Sequence, residues 1–335
     1  MNRALLALAL CSTALPAFAD EVNIYSHRQP SLIQPLLDAF TAETGITTNV
    51  AFVEKGMVER LVAEGDRSPA DLVLTVDIAR LTQIVEAGVV QPVQSDVLEA
   101  NIPEAFRDKA DLWFGLTARA RIVYASKERV ADGAVTTYED LADPKWKGKI
   151  CTRSGTNDYN IALLSAYIAH HGAEAAKTWA EGLKANLARK PDGGDRDQVK
   201  AIWAGECDIS LGNTYYMGQM VNDPEQKAWA DSVRIVFPTF EGAGTHMNVS
   251  GVAMTKSAPN KAAALKLMEW LSSDAAQKIY AETNHEFPVK PGVAASALVA
   301  SWGSFTPDTL ALTDIAAHRA EALKIMEEID FDAGS

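Results

Sequence analysis

Residues 22–53 read VNIYSHRQPSLIQPLLDAFTAETGITTNVAFV, and this stretch sets the fold class. Val22–Tyr25 reads as a strand. From Ser31 to Thr44 the apolar residues Ile33, Leu36, Leu37 and Phe40 recur at helical spacing, and Gly45 closes the helix. Thr48–Val53 is again strand-like. The unit then repeats: a helix over Met57–Glu64 ending at Gly65, a buried apolar strand over Asp71–Val76, and a helix from Ile78 to Ala87 before Gly88. Repeated strand–helix–strand units predict an α/β fold with a mostly parallel sheet covered on both faces. Such sheets bind ligands beyond the carboxyl ends of their strands. The segments there are Ser26–Pro30, Lys55–Gly56 and Asp77, which puts His27 and Arg28 at a cleft.

A second block starts near Leu116–Tyr124, an apolar strand on which Arg119 and Arg121 share one face. Arginine there needs an anion or an ion pair to offset its burial. A strand over Ile150–Thr152, helices over Asn160–His170, Glu174–Asn186 and Asp197–Ala204, and a strand over Ile209–Leu211 follow. Val249–Thr255 reads as a strand returning to the first block. Helices are then expected over Pro259–Leu271, Ala275–Glu282 and Asp314–Glu328. Crossings near residues 118 and 247 predict a hinged two-lobe molecule. The first lobe is expected to hold residues 20–118 plus about 247–290, and the second 119–246 plus about 291–335.

The start of the chain has the features of a secretory signal: a basic Met1-Asn-Arg, apolar Ala4–Leu10, and Ala17-Phe-Ala19 as a cleavage site before Asp20. A periplasmic, exported protein not embedded in the membrane is expected. With 31 Lys and Arg against 44 Asp and Glu, the net charge of −13 argues against nucleic acid as a partner and gives a field that attracts cations. Past the signal only Cys151 and Cys207 remain. In an oxidising compartment they predict a disulfide, with two free buried thiols as the alternative. Each lies eight residues before a tyrosine, Tyr159 and Tyr215, so a bridge would join the strands that deliver those side chains.

Hydrolase and nucleotide signatures are absent: no G-x-S-x-G, no G-x-x-x-x-G-K-[ST], no H-E-x-x-H. His170-His171 falls at a helix C-terminus before Gly172, a place that favours such residues without any metal. His246, His285 and His318 have no ligand-like neighbours, and Asp195-Arg-Asp197 reads as a turn with a helix cap. The remaining motif is Tyr215-Tyr216 within DISLGNTYYMGQM, residues 208–220. After a Gly-Asn-Thr turn, with Asn213 or Thr214 as N-cap, both rings fall in the first helical turn, about 100° apart. Both hydroxyls could then reach one cleft, and the helix N-terminus would favour their ionisation.

Taken in order, six segments carry a resemblance. They are Tyr25-Ser-His-Arg-Gln-Pro30, Ser68-Pro-Ala-Asp-Leu-Val-Leu-Thr75, Trp113-Phe-Gly-Leu-Thr-Ala-Arg-Ala-Arg121, Thr152–Asn160, Leu211-Gly-Asn-Thr-Tyr-Tyr216 and Gly244–Gly251. Together they resemble the periplasmic ferric-iron-binding proteins of bacterial and cyanobacterial ABC importers. The resemblance implies a clamshell of the type II-like periplasmic binding proteins, with the ligand held between the lobes, and no enzymatic activity. It implies Fe³⁺ as cargo, an inner-membrane iron ABC permease as partner, and a monomer. Tyr215 and Tyr216 match the family's phenolate pair, and Tyr159 the additional tyrosine of members that bind iron mainly through tyrosines. His27 is the candidate from the first loop, and Arg119 matches a position that supports the metal or a synergistic anion. Water or such an anion would complete the coordination. Val76 stands where a subset of the family places a Glu, so that ligand is not carried over. The alternative is the same fold holding a carboxylate or polyamine in an aromatic box; an enzyme using tyrosine and His27 as acid and base is a third reading.

Overall fold

The computed structural model describes residues 20–335; the expected signal segment lies outside them. Ten strands form one strongly curved system. They are β1 (Glu21–Ser26), β2 (Thr47–Phe52), β3 (Leu72–Thr75), β4 (Val90–Gln91), β5 (Phe114–Ser126), β6 (Ile150–Cys151), β7 (Ile209–Asn213), β8 (Val233–Val236), β9 (Met247–Thr255) and β10 (Phe287–Pro288). The main order is β2-β1-β3-β9-β5-β7-β6, with β4 beside β9, and with β8 and β10 beside β5.

The strand–helix–strand reading holds for the first three strands, but the expected mostly parallel sheet does not. Among the described residues six of the nine strand pairings are antiparallel, because β5 and β9 cross between the lobes against their neighbours. β1 pairs in parallel with both β2 and β3, the helices Pro30–Thr44 and Met57–Glu64 making the connections. All four residues of β3 are buried, as an apolar run covered on both faces should be. Gly45, at φ 74°, ends the first helix by donating its amide to the carbonyl of Thr41 at 2.9 Å.

β5 holds the two lobes together. Its first half, Phe114–Ala120, pairs with β9, while Arg121–Ala125 pairs with β7 and Val123–Ser126 with β8. One strand therefore serves both halves of the clamshell. At the change-over the Tyr138 hydroxyl donates to the carbonyl of Arg121 (2.6 Å) and accepts from the amide of His246 (3.0 Å), pinning the two chain passages to each other.

In the second lobe β6 and β7 run parallel, so the segments following both leave on the same side. Cys151 and Cys207 form a disulfide across this pair, with Cα atoms 5.9 Å apart. The two cysteines are 56 positions apart, and closing such a loop stabilises the fold by about 4 kcal/mol in the chain-entropy account.

Three local expectations are corrected. Gly212 and Asn213 continue β7 rather than turning, because Arg121 of β5 pairs with Asn213. The helix expected over Ala275–Glu282 ends at Ile279 and passes into a wider π-type turn, Tyr280–Asn284. The helix expected over Asp314–Glu328 is two, Leu312–Ala316 and Arg319–Glu328. Among the described residues no helix is long and apolar enough to cross a membrane.

Candidate metal centre

The tyrosines reach one cavity because of strand direction. β7 runs antiparallel to β5 and ends opposite Arg121, so the helix Tyr215–Asn222 starts where β5 passes between lobes. β6, parallel to β7, leads to the helix Asp158–His171, whose second residue is Tyr159. The Asn157 side chain caps that helix by accepting from the Tyr159 amide at 3.0 Å.

The hydroxyls of Tyr215 and Tyr159 lie 3.3 Å apart, and the Tyr215 and Tyr216 rings 4.2 Å centroid to centroid. His27 lines the same cavity of about 330 Å³, together with Gln219 and Phe52. The structure thus brings together His27, Tyr159, Tyr215, Tyr216 and Arg119. Gly218 sits one turn along the tyrosine helix, where a Cβ would collide with the His285 ring. The absence of a side chain there lets the helix pack on the first lobe.

Helix-terminal ionisation of the phenols, expected above, does not hold in the metal-free state. Thr214 occupies the N-cap position with helical torsions and makes no capping hydrogen bond. Its hydroxyl instead accepts from the amide of Ala120 at 3.3 Å. Burial raises the Tyr215 phenol well above its ordinary value, and the neighbouring Tyr159 and Tyr216 add to this against the pull of Arg119. Tyr216 is raised too, by burial first and then by Tyr159 and Asp195. Burial also lowers the His27 imidazolium to about 4, aided by Arg80. The ring is therefore neutral at pH 7, with a buried Nδ1 that has no partner. A neutral imidazole beside protonated phenols suits a cation acidic enough to displace the phenolic protons.

Arg119 and Arg121 part company despite sharing a strand face. Arg119 points to the first lobe, donating to the carbonyl of Val76 (2.7 Å) and to Glu286 Oε1 (2.6 Å). Glu286 Oε2 receives Arg28 (2.8 Å) and the Thr117 hydroxyl (3.0 Å). Burial pushes the Glu286 carboxyl up, but Arg28 and Arg119 outweigh it and hold the group ionised. Arg121 turns to the second lobe and pairs with buried Asp195 at 2.7 Å. Asp195, read above with Asp197 as a turn and helix cap, is instead a buried ion-pair partner at the start of its helix. Asp197 does cap, accepting from the Gly194 amide at 2.7 Å.

Sequence reasoning missed Glu286, whose partners Arg28 and Arg119 lie 258 and 167 positions away. It also missed Arg153, which reaches Asp195 at 3.3 Å and lies 5.2 Å from the Tyr159 ring centroid. The expected cation-attracting field is not that of the cleft. Arg28, Arg80, Arg119, Arg153 and Arg196 line it against Glu54 and Glu286. His170 and His171 pair with Asp308 (2.7 Å) and Glu139 (2.8 Å). No group of three or more His, Cys, Asp or Glu that could hold a metal occurs among the described residues.

A curved sheet shared by two lobes, with a cavity between them at the strand ends, defines a solute-binding protein. Residues 25–278 match the family model for bacterial extracellular solute-binding proteins, and the chain belongs to that family. It is 45% identical over 316 residues to iron uptake protein A1 of Synechocystis sp., covering 93% of this chain and 88% of that one. The apo ferric ion-binding protein A of Pasteurella haemolytica superposes with a TM-score of 0.90 at 55% identity, covering 94% of this chain and 99% of that one. The Trichodesmium protein IdiA (FutA), solved with iron and citrate ligands, gives 0.88 at 42% identity over 93% and 99%.

Proposed function

We propose that this chain is a periplasmic receptor that captures Fe³⁺ and passes it to an inner-membrane ABC permease, acting as a monomer and without catalysis. The observation that carries this is the convergence of Tyr159, Tyr215 and Tyr216 on one cleft beside an unpartnered, neutral His27. Oxygen donors suit a hard trivalent ion, and three phenolates balance its charge. Ferrous iron would leave the same cluster anionic. The three tyrosines and His27 are the ligands, and water or an anion completes the shell.

The arginine-rich lining supports entry of the iron as an anionic chelate rather than as a bare cation, and relatives named for ferric iron fit this reading. Arg119 supports the site from behind, its guanidinium 5.6 Å from the centroid of the Tyr215 ring. The organic-solute alternative would need Arg119 for a carboxylate, yet its terminal nitrogens are occupied by Val76, Ser250 and Glu286. The lobes meet near Ala120–Arg121 and near Met247, the second lobe also taking the segment from about residue 291. Export with cleavage after Ala19 completes the account.

Metal-stripped protein incubated with ferric citrate and desalted is expected to retain a single iron per chain by metal analysis. No retained iron, with binding heat from a small carboxylate or a polyamine, would replace this function by the organic-solute one.

A further inference from the structure

Asp158 begins the helix that carries Tyr159, and its two carboxylate oxygens face arginines from different parts of the molecule. Oδ2 lies 3.3 Å from Nε of Arg80, on the helix Ile78–Glu86 that follows β3 in the first lobe. Oδ1 lies 3.6 Å from Nη2 of Arg319, on the helix Arg319–Glu328, which packs against Asp158's own helix. Arg80 is held toward the cleft by Asp77, which accepts its amide at 2.9 Å and lies 3.4 Å from its Nε. The short helix Leu312–Ala316 touches both the Arg80 helix and the Asp158 helix, so the two are apposed on one flank of the cavity.

We propose that Arg80 and Asp158 form a latch between the lobes that favours their closed arrangement with or without iron and so slows iron release, an inference whose iron readout rests on the ferric reading above. When the lobes part, Arg80 withdraws and Asp158 keeps Arg319 as its counter-ion, so no charge is stranded in either state. The latch fixes Tyr159, the next residue, against the first-lobe wall that carries His27. Arg80 and Asp158 are positioning residues, since neither supplies a ligand. Their side chains are 29% and 26% exposed, so the bias is that of a partly solvated pair, about two- to fivefold in release rate.

The test follows iron release into excess chelator by stopped flow, through the visible band, for wild type, Arg80→Gln, Asp158→Asn and the double variant at low and high salt. Each single variant is expected to release iron about two- to fivefold faster at low salt. The double variant should be no faster than the faster single, and raising salt should speed wild type but not Arg80→Gln. Arg60→Gln, which breaks the Arg60–Glu64 pair elsewhere on the first lobe, should behave as wild type. Additive effects in the double variant overturn the latch, as does wild-type release with wild-type salt dependence in Arg80→Gln. If wild type takes up no iron, the ferric reading fails. Small-angle scattering then reads the latch alone: Arg80→Gln should enlarge the ligand-free radius of gyration, and an unchanged radius overturns it.

Discussion

The two walls of the cleft handle charge in opposite ways. On the first-lobe wall Arg28 and Arg119 close on Glu286, a buried set whose charges meet within hydrogen-bonding distance. On the other wall the phenols of Tyr215 and Tyr216 are held protonated by burial and by the neighbouring Tyr159. The positive charges of Arg119, beside Tyr215, and of Arg153, near Tyr216, pull the other way without prevailing. The charges of the first wall are already paired, two guanidiniums on one carboxylate, so it is scaffold. The second becomes anionic only when a cation displaces its protons, so it is the part that responds to metal. The contrast assigns stability to one wall and affinity to the other, and substitutions should separate them.

The largest effect is expected on the scaffold wall. Glu286→Gln leaves two buried arginines without their carboxylate and should cost about 3–5 kcal/mol of unfolding free energy, read from the denaturant midpoint. Tyr216→Phe should do the reverse, leaving the midpoint nearly unchanged while weakening iron by more than about 100-fold, because even outer partners of metal ligands are worth 10–100-fold. If Tyr216→Phe unfolded the protein, or Glu286→Gln altered only iron, the division between the walls would be wrong.

Proton competition gives the next effect. The Tyr215 and Tyr216 pKa values are raised in the iron-free protein, so both phenols carry protons throughout the range from pH 5 to 8. Iron must expel those protons, so apparent affinity rises with pH and falls as the medium is acidified. The change is about tenfold per pH unit for each proton expelled. His27, near 4, is already neutral there and adds no slope until the pH approaches that value. A competition titration against a chelator of known pH behaviour measures the slope, and a flat profile would mean that the phenols are not ligands. The smallest change is expected from His27→Ala, about tenfold in affinity with the charge-transfer colour retained, since a neutral donor is lost and water can replace it.

What was legible in the sequence was local. Strand–helix alternation over residues 22–87 gave the first lobe, and Tyr215 and Tyr216 stood out just past a strand end, whereas Tyr159, eight residues beyond Cys151, was identified through the family resemblance. Glu286 was not legible, because nothing near it signals partners on β5 and in the first loop. The division of the C-terminal helix had the same cause. Its sequence is compatible with one amphipathic run, but Leu312–Ala316 packs against the helices Ile78–Glu86 and Asp158–His171, while Arg319–Glu328 packs mainly against Asp158–His171 and Ala173–Ala185. Tertiary contact broke what periodicity would have continued. Asp195 and the first-lobe arginines show the limit in electrostatic form: a net charge of −13 described the surface and misdescribed the cleft.

The most direct test is a visible-absorption titration of the metal-stripped protein with ferric citrate, repeated with Tyr216→Phe. The account predicts a saturable phenolate-to-iron charge-transfer band that reaches its end point at one equivalent and is bleached or strongly shifted in the variant. A folded wild-type protein that develops no such band, or a variant whose band matches wild type, would contradict tyrosine capture of ferric iron.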